Sequence, residues 1–302
     1  MNRRSFMSAS AGAAAGLGAL TQVASAADAG QDRVPNGAFK EVPLRFSMPP
    51  GWFEGSLPEK LDRIAALGVP GFEILGPKIP AAELSGLAKE RGLQLSCIGG
   101  AGAIAPGEML IEAEHDRIVE QFKDRVEYAK TCGVKVLIGL TGNAVEGMND
   151  DQMMTNSAKC LKRLAPIAEQ NNVVIVMEAL NVLVNHPGFW LQRTDQTMAL
   201  LDEVASPNVK MCFDIYHQQI TEGNITRNLC ENFERVGHIH VGDNPGRKEP
   251  GTGEINYRNM FKAIYEEGYQ KGKYDGFVTF ECGTRDDTET ALRRILDCVD
   301  WA

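Results

Sequence analysis

Val173-Val174-Ile175-Val176-Met177-Glu178 is a short β-branched run that ends on a carboxylate. The same pattern returns in Val209-Lys210-Met211-Cys212-Phe213-Asp214, in Val236-Gly237-His238-Ile239-His240-Val241 and in Phe277-Val278-Thr279-Phe280-Glu281. Each run is too short for a helix and carries the residue types that suit a buried strand. Longer amphipathic stretches separate them, around 194–205, 224–235 and 257–268, and one more follows at 287–300. Strand and helix in strict alternation specify a parallel sheet covered by helices.

Toward the amino terminus the alternation continues. Val42–Met48, Gly71–Leu75, Leu93–Ile98 and Val134–Leu140 read as strands, followed by helical patterns around 57–67, 81–91, 111–132 and 150–171. Gly68, Gly92, Gly133, Asn171-Asn172 and Gly268 stand where helices should stop. Eight βα units in about 260 residues match a single α/β domain, a (β/α)8 TIM barrel over residues 41–302. A doubly wound sheet would place a phosphate-binding turn after its first strand, and none is there. Gly100-Ala101-Gly102-Ala103-Ile104-Ala105 follows the third strand instead, and Pro106-Gly107 interrupts any helix it could open. There is no Walker loop and no G-x-S-x-G elbow.

Barrel enzymes keep their chemistry at the carboxyl ends of the strands. Those positions hold Glu178, Asp214, His240 and Glu281, on four consecutive strands. Side chains alternate along a strand, so Glu178 shares a face with Val176, Asp214 with Cys212, His240 with His238, and Glu281 with Thr279. Three carboxylates converging on one spot repel unless a proton or a cation sits among them. One divalent metal ion resolves the repulsion. The oxygen-rich set favours Mn2+ or Mg2+, with Co2+ or Zn2+ also accommodated.

His217 and Arg247 follow in loops over the rim and are candidate substrate contacts, Arg247 as a bidentate carboxylate partner. Glu73, at the end of the second strand, is a further candidate, as is Lys78. His238 lies one layer deeper than His240 and reads as a core histidine. His115, in a highly charged helix, reads as a surface residue, and His186 is given no role.

The chain has 302 residues, and its 40 acidic against 31 basic side chains give a formal charge of −9, which opposes nucleic-acid and anionic-membrane binding. No run of 18 apolar residues would span a bilayer. Residues 1–26 carry Arg3-Arg4 before an Ala/Gly-rich run and close on Ala24-Ser25-Ala26. That resembles a twin-arginine export signal with a small-residue cleavage site. Its removal takes two arginines and leaves the mature chain still more acidic. Residues 27–40 read as a polar linker, and the location expected is the periplasm, without stable membrane insertion. Seven cysteines include no C-x-x-C pair, and no structural disulfide is expected. The faces of such a barrel also allow a homo-oligomer.

The stretch from His238 to Tyr257, with Pro245-Gly246-Arg247-Lys248-Glu249-Pro250-Gly251-Thr252-Gly253-Glu254-Ile255-Asn256-Tyr257 inside it, resembles the signature of hydroxypyruvate isomerases. These belong to the xylose isomerase-like superfamily of sugar isomerases and epimerases. Glu178-Ala179-Leu180-Asn181, followed by Pro187-Gly188-Phe189-Trp190-Leu191, is similar to the same family's fifth-strand segment. The resemblance runs over most of the chain and is specific in its second half. It implies that Glu178, Asp214, His240 and Glu281 ligate the metal, that Glu178 and Glu281 double as acid and base, and that His217 and Arg247 touch substrate. Hydroxypyruvate isomerases often carry Gln where His240 stands, whereas ketose epimerases of the superfamily carry His. Cys282-Gly283-Thr284-Arg285 also replaces their usual Asn-Pro after the last glutamate.

The expected reaction is metal-assisted proton transfer next to the carbonyl of a sugar or hydroxy-keto acid, through an enediolate. Alternatives are a ketose 3-epimerase, a lyase or dehydratase acting on keto-sugars (inosose dehydratase-like or cleaving 3-keto-glycosides), and, outside catalysis, a periplasmic sugar-binding protein. An apurinic endonuclease with a trinuclear zinc cluster would need more than the five histidines present.

Overall fold

A computed structural model describes residues 33–301. The expected export signal lies outside them. The strands are β1 (Phe46–Met48), β2 (Gly71–Phe72), β3 (Gln94–Leu95), β4 (Ile98–Ala101), β5 (Val136–Gly139), β6 (Val174–Glu178), β7 (Val209–Asp214), β8 (Val236–Val241) and β9 (Val278–Phe280). The helices are α1 (Leu57–Ala66), α2 (Ala81–Glu90), α3 (His115–Cys132), α4 (Asp150–Gln170), α5 (Thr194–Val204), α6 (Ile215–Thr221), α7 (Ile225–Asn232), α8 (Tyr257–Ala263) and α9 (Thr288–Val299).

All sheet pairings are parallel, in the order β3-β2-β1-β9-β8-β7-β6-β5-β4. The two ends of that order, β3 and β4, are one continuous piece of chain joined through Ser96-Cys97. The sheet is therefore a barrel, the TIM barrel expected, with its third staff split in two. The lower half pairs with β2 and the upper half with β5. Beside the lower half, a cavity of about 810 Å3 opens between Gln94 and the start of β5 at Lys135 and Val136.

Strand alternation sorts the side chains as the sequence suggests. Ile175, Met177, Phe213 and Ile239 face the helices and join the main core, whereas Cys97, Ile138, Val176 and Cys212 form a small cluster inside the barrel. The helices begin where local chemistry dictates. Ser56 with Glu59 and Asn149 with Gln152 form capping boxes on α1 and α4, satisfying backbone donors that a helix start leaves open. Gly133 ends α3 at φ +71°, a conformation that carries a Cβ penalty in other residues.

Four expectations need correction. Val34 and Phe39, assigned to the linker, are buried in the core, and Val34 is tied to Glu289 and Arg63. The domain thus starts near Val34. Gly268 does not stop a helix: it lies within a π-helical segment, Ile264–Tyr269, with Gly272 in the left-handed region behind it. His115 is buried, its Nε2 2.9 Å from the Met109 carbonyl, because two 3-10 turns fold over the start of α3. Finally, His217 is not in a loop but in α6, a helix that follows β7 without a break.

Candidate active site

Strand β6 delivers Glu178 and β7 delivers Asp214, while β8 delivers His240. Glu281 stands one residue beyond β9. The register puts Asp214 beside His240 and His240 beside Thr279, so these side chains rise at one level inside the rim. The donor atoms of Glu178, Asp214, His240 and Glu281 all lie within 4.8 Å of one another.

His240 is the centre of the cluster. Its Nδ1 is 2.9 Å from Glu281 Oε2 and 3.1 Å from Glu178 Oε1, and its Nε2 is 3.2 Å from Glu73 Oε1. Burial disfavours a charge on His240, yet Cys212, Glu73 and Glu281 together push its pKa well above the usual imidazole range. The two glutamates facing it diverge. Burial and then the neighbouring Glu281 raise Glu178 to about 7. Burial acts the same way on Glu281, but His240 and Arg247 outweigh it and hold Glu281 at about 2.

Asp214 also caps α6, accepting the His217 N–H at 3.0 Å. This places His217 one turn into the helix and above the carboxylates. Its Nδ1 lies 2.6 Å from Asn181 Nδ2 and accepts the Asn181 backbone N–H at 3.3 Å. An acceptor role at Nδ1 puts the ring proton on Nε2. That atom is buried, 3.6 Å from Asp214 Oδ2, and has no hydrogen-bond partner among the described residues. Burial lowers the His217 pKa to about 4, so the ring is a neutral donor at physiological pH.

Arg247 comes from the loop after β8, at φ +51°. Its Nη2 lies 2.7 Å from Glu281 Oε2 and 3.2 Å from Asp214 Oδ2, and the guanidinium lies over the Tyr216 ring. A buried carboxylate that the sequence reading missed, Asp243, holds this loop. It accepts five backbone N–H groups, from Asn244, Gly251, Thr252, Gly253 and Ile255. Glu249, also buried, accepts the Arg285 N–H and an Arg294 guanidinium N–H, which ties the loop to the segment after Glu281.

Glu73 is close to the cluster but behind it. Its carboxylate meets His238 Nε2 at 2.9 Å and also His240, and it does not line the open cavity. Burial would raise its pKa, but His240 and His238 bring it down to about 2. It is placed to support His240, and the substrate contact expected of it is not made by position. Lys78 lies outside the cavity lining as well. His186, given no role from sequence, lines the cavity with its ring centroid 5.2 Å from that of His217.

The cavity measures about 600 Å3 and has Glu178, Glu281, His217 and Arg247 in its wall. Three carboxylates and an imidazole, all buried except the half-buried Glu281 and converging to within 4.8 Å, fit a divalent cation: carboxylates gathered in such a place need a counter-charge. The chain's own cation there, Arg247, reaches Asp214 and Glu281 but leaves Glu178 raised.

Comparison with known proteins bears on the fold and the family. The sequence profile of the xylose isomerase-like TIM barrel matches residues 61–300. A hydroxypyruvate isomerase of Escherichia coli is 34% identical over 64% of this chain and 74% of its own length. A 2-oxo-tetronate isomerase of Pectobacterium atrosepticum is 30% identical over 77% of this chain and 89% of its own. Among solved structures, an AP endonuclease of family 2 from Brucella melitensis superposes with a TM-score of 0.74 at 23% identity, covering 82% of this chain and 96% of that one. That last likeness speaks for the fold alone. With a matching profile over most of its length, and relatives that are isomerases, the chain belongs to the xylose isomerase-like TIM barrel family and is one of its isomerases.

Proposed function

We propose that the protein isomerises a small hydroxy-keto acid or ketose of the hydroxypyruvate type, with Glu178 and Glu281 as its acid/base pair. The observation that carries this reading is geometric: Glu178 and Glu281 both lie in the cavity wall, within 3.1 Å and 2.9 Å of His240 Nδ1, and converge with Asp214 to within 4.8 Å. Two carboxyl groups facing one cavity from neighbouring positions on the rim are placed to take a proton from one carbon and return one to the next. Glu281 removes the proton from the carbon next to the carbonyl, and Glu178 returns one to the neighbouring carbon. The hydroxyl proton passes to the former carbonyl oxygen, and proton exchange with water resets the two carboxyl groups after product leaves. His217 Nε2–H donates to a substrate oxygen, and Arg247 binds the substrate carboxylate or hydroxyls. Glu178, Asp214, His240 and Glu281 would hold a single divalent ion, Mn2+ or Mg2+, which would supply Lewis acidity to the reaction.

The test is proton exchange in D2O with hydroxypyruvate and metal-replete protein, read by NMR. Wild type should incorporate deuterium next to the carbonyl, and Glu281→Gln should slow it by about 10²–10⁴ with the fold intact. Exchange at the wild-type rate in Glu281→Gln, with metal retained, would remove that residue from the base role. A ketose 3-epimerase is the second reading, favoured by a histidine rather than a glutamine at His240. The product separates the two, because an epimerase returns a ketose inverted at one carbon.

We also propose that the enzyme acts in the periplasm, on the strength of Arg3-Arg4 and Ala24-Ser25-Ala26. Cell fractionation with mass spectrometry checks this. A cytoplasmic product retaining residues 1–26 would refute it.

A further inference from the structure

The cavity does not end at the carboxylates. From Glu178, Glu281, His217 and Arg247 it continues past Gly99, Gly100 and Gly102 to a second polar wall on α3, made by Gln121, Asp124, Arg125 and Tyr128. Glycines make that passage. Gly102 sits at φ +69°, and a Cβ there would fall 1.9 Å from the Leu140 carbonyl oxygen, so only bare backbone passes. At about 600 Å3 the space lies within the range of about 300–1,000 Å3 that drug-sized ligands fill, far more than a three-carbon acid needs.

Arg125 is the telling residue. It is half-buried, yet it makes no hydrogen bond or ion pair with another described residue, whereas nearby Arg117 and Arg163 are both paired. A partly desolvated guanidinium without a partner has unspent donors in a fixed fork. Next to it, Tyr128 gives its hydroxyl to the Ile79 carbonyl and leaves its ring in the cavity wall. An arginine fork, an amide, a carboxylate and an aromatic ring together suit a polyhydroxylated chain or ring.

We propose that the active site takes substrates longer than three carbons, with the oxygen-rich end remote from the reacting carbonyl held on α3 by Arg125, supported by Gln121 and Tyr128. The proposal rests on the isomerase reading for its reacting end and deepens it by assigning substrate length. Arg125 is thereby a specificity residue that does not touch the reacting atoms.

The experiment compares kcat/KM for D-fructose with that for hydroxypyruvate in wild type, in Arg125→Ala, and in Lys123→Ala as a control on the outer face of the same helix. The fructose-to-hydroxypyruvate ratio should fall by about tenfold or more in Arg125→Ala and stay put in Lys123→Ala. A ratio unchanged within about twofold in Arg125→Ala would overturn the proposal. In parallel, binding of glucitol and glycerol is measured by NMR titration, which needs no turnover. Wild type should prefer the six-carbon polyol, and Arg125→Ala should lose that preference. No preference in wild type overturns the subsite. Absence of deuterium exchange with either carbonyl compound, alongside a retained polyol preference, refutes the isomerase reading and leaves the subsite standing.

Discussion

Replacing Asp243 tests whether one buried carboxylate organises the loop that carries Arg247. Oδ1 accepts the N–H groups of Asn244 at 2.9 Å and Ile255 at 3.1 Å. Oδ2 accepts those of Gly251 at 3.0 Å, Thr252 at 3.0 Å and Gly253 at 2.8 Å. Hydrogen bonds to a charged acceptor contribute about 1.5–3 kcal/mol each, and a buried donor left without one costs about 1–3 kcal/mol. Gly251 and Gly253 are exposed and can turn to water, whereas Ile255 is buried and cannot. Asp243→Ala should therefore lose about 3–5 kcal/mol rather than the sum of five bonds. The near-isosteric Asp243→Asn should fare little better, because its NH2 group must face N–H donors on one side or the other. At about 2 °C or more per kcal/mol for a chain of this size, both variants should melt about 6–10 °C low. Urea unfolding followed by far-UV circular dichroism gives the free energy directly. An Asp243→Asn variant within about 0.5 kcal/mol of wild type would refute the reasoning, since the gathered N–H groups would then not need a full carboxylate.

Gly253→Ala should destabilise the same loop by more than about 1 kcal/mol, because its Cβ would lie 2.2 Å from the Asn244 carbonyl oxygen; thermal unfolding reads it. Arg247→Met removes the cation shared by Asp214 and Glu281 and should lower kcat/KM by about 10²–10³, measured by steady-state kinetics. Dialysis against a chelator should abolish activity, and adding Mn2+ at about a hundred times its Kd should raise stability by about 2.7 kcal/mol, read as a Tm increase. The thiol of Cys160 is pushed up to about 12 by burial and stays protonated at pH 8. It should react with Ellman's reagent only after unfolding, as should the equally buried Cys97 and Cys212.

The parts of the site legible in the sequence are those fixed by strand periodicity. Alternation with a period of two, read along Val173–Glu178 and its three counterparts, placed four side chains on one rim, and the register of β6 to β9 puts them there. What the pattern could not carry is tertiary. Asp243 is one acid among 40, and only the folded loop shows that five N–H groups turn toward it. A helix starting at the last residue of a strand leaves no loop signal, so α6 and the height of His217 were hidden, although Asp214 followed three residues later by His217 has N-cap spacing. His115 looked exposed because its neighbours are charged, and its burial depends on turns formed by Glu108–Glu114. The split of the third strand follows from barrel closure, which no local propensity encodes.

That split divides the barrel into two storeys with different mechanical character. In the upper storey, β4 pairs with β5, and a backbone hydrogen bond from Gly99 N–H to the Leu75 carbonyl, just beyond β2, joins the two ends of the hoop that carries Glu178, Asp214 and His240. In the lower storey, Gln94 and Leu95 bond only to β2, and the gap beside Lys135 and Val136 is bridged by no strand pairing. Breathing motions should therefore open the floor first, at a free energy well below global unfolding, while the ceiling keeps its spacing. In a hydrogen-exchange experiment the amides around 94–95 should lose protection before those of β6 to β8. A barrel built this way can relax at one end without loosening, even by an ångström, the atoms that must meet at the other.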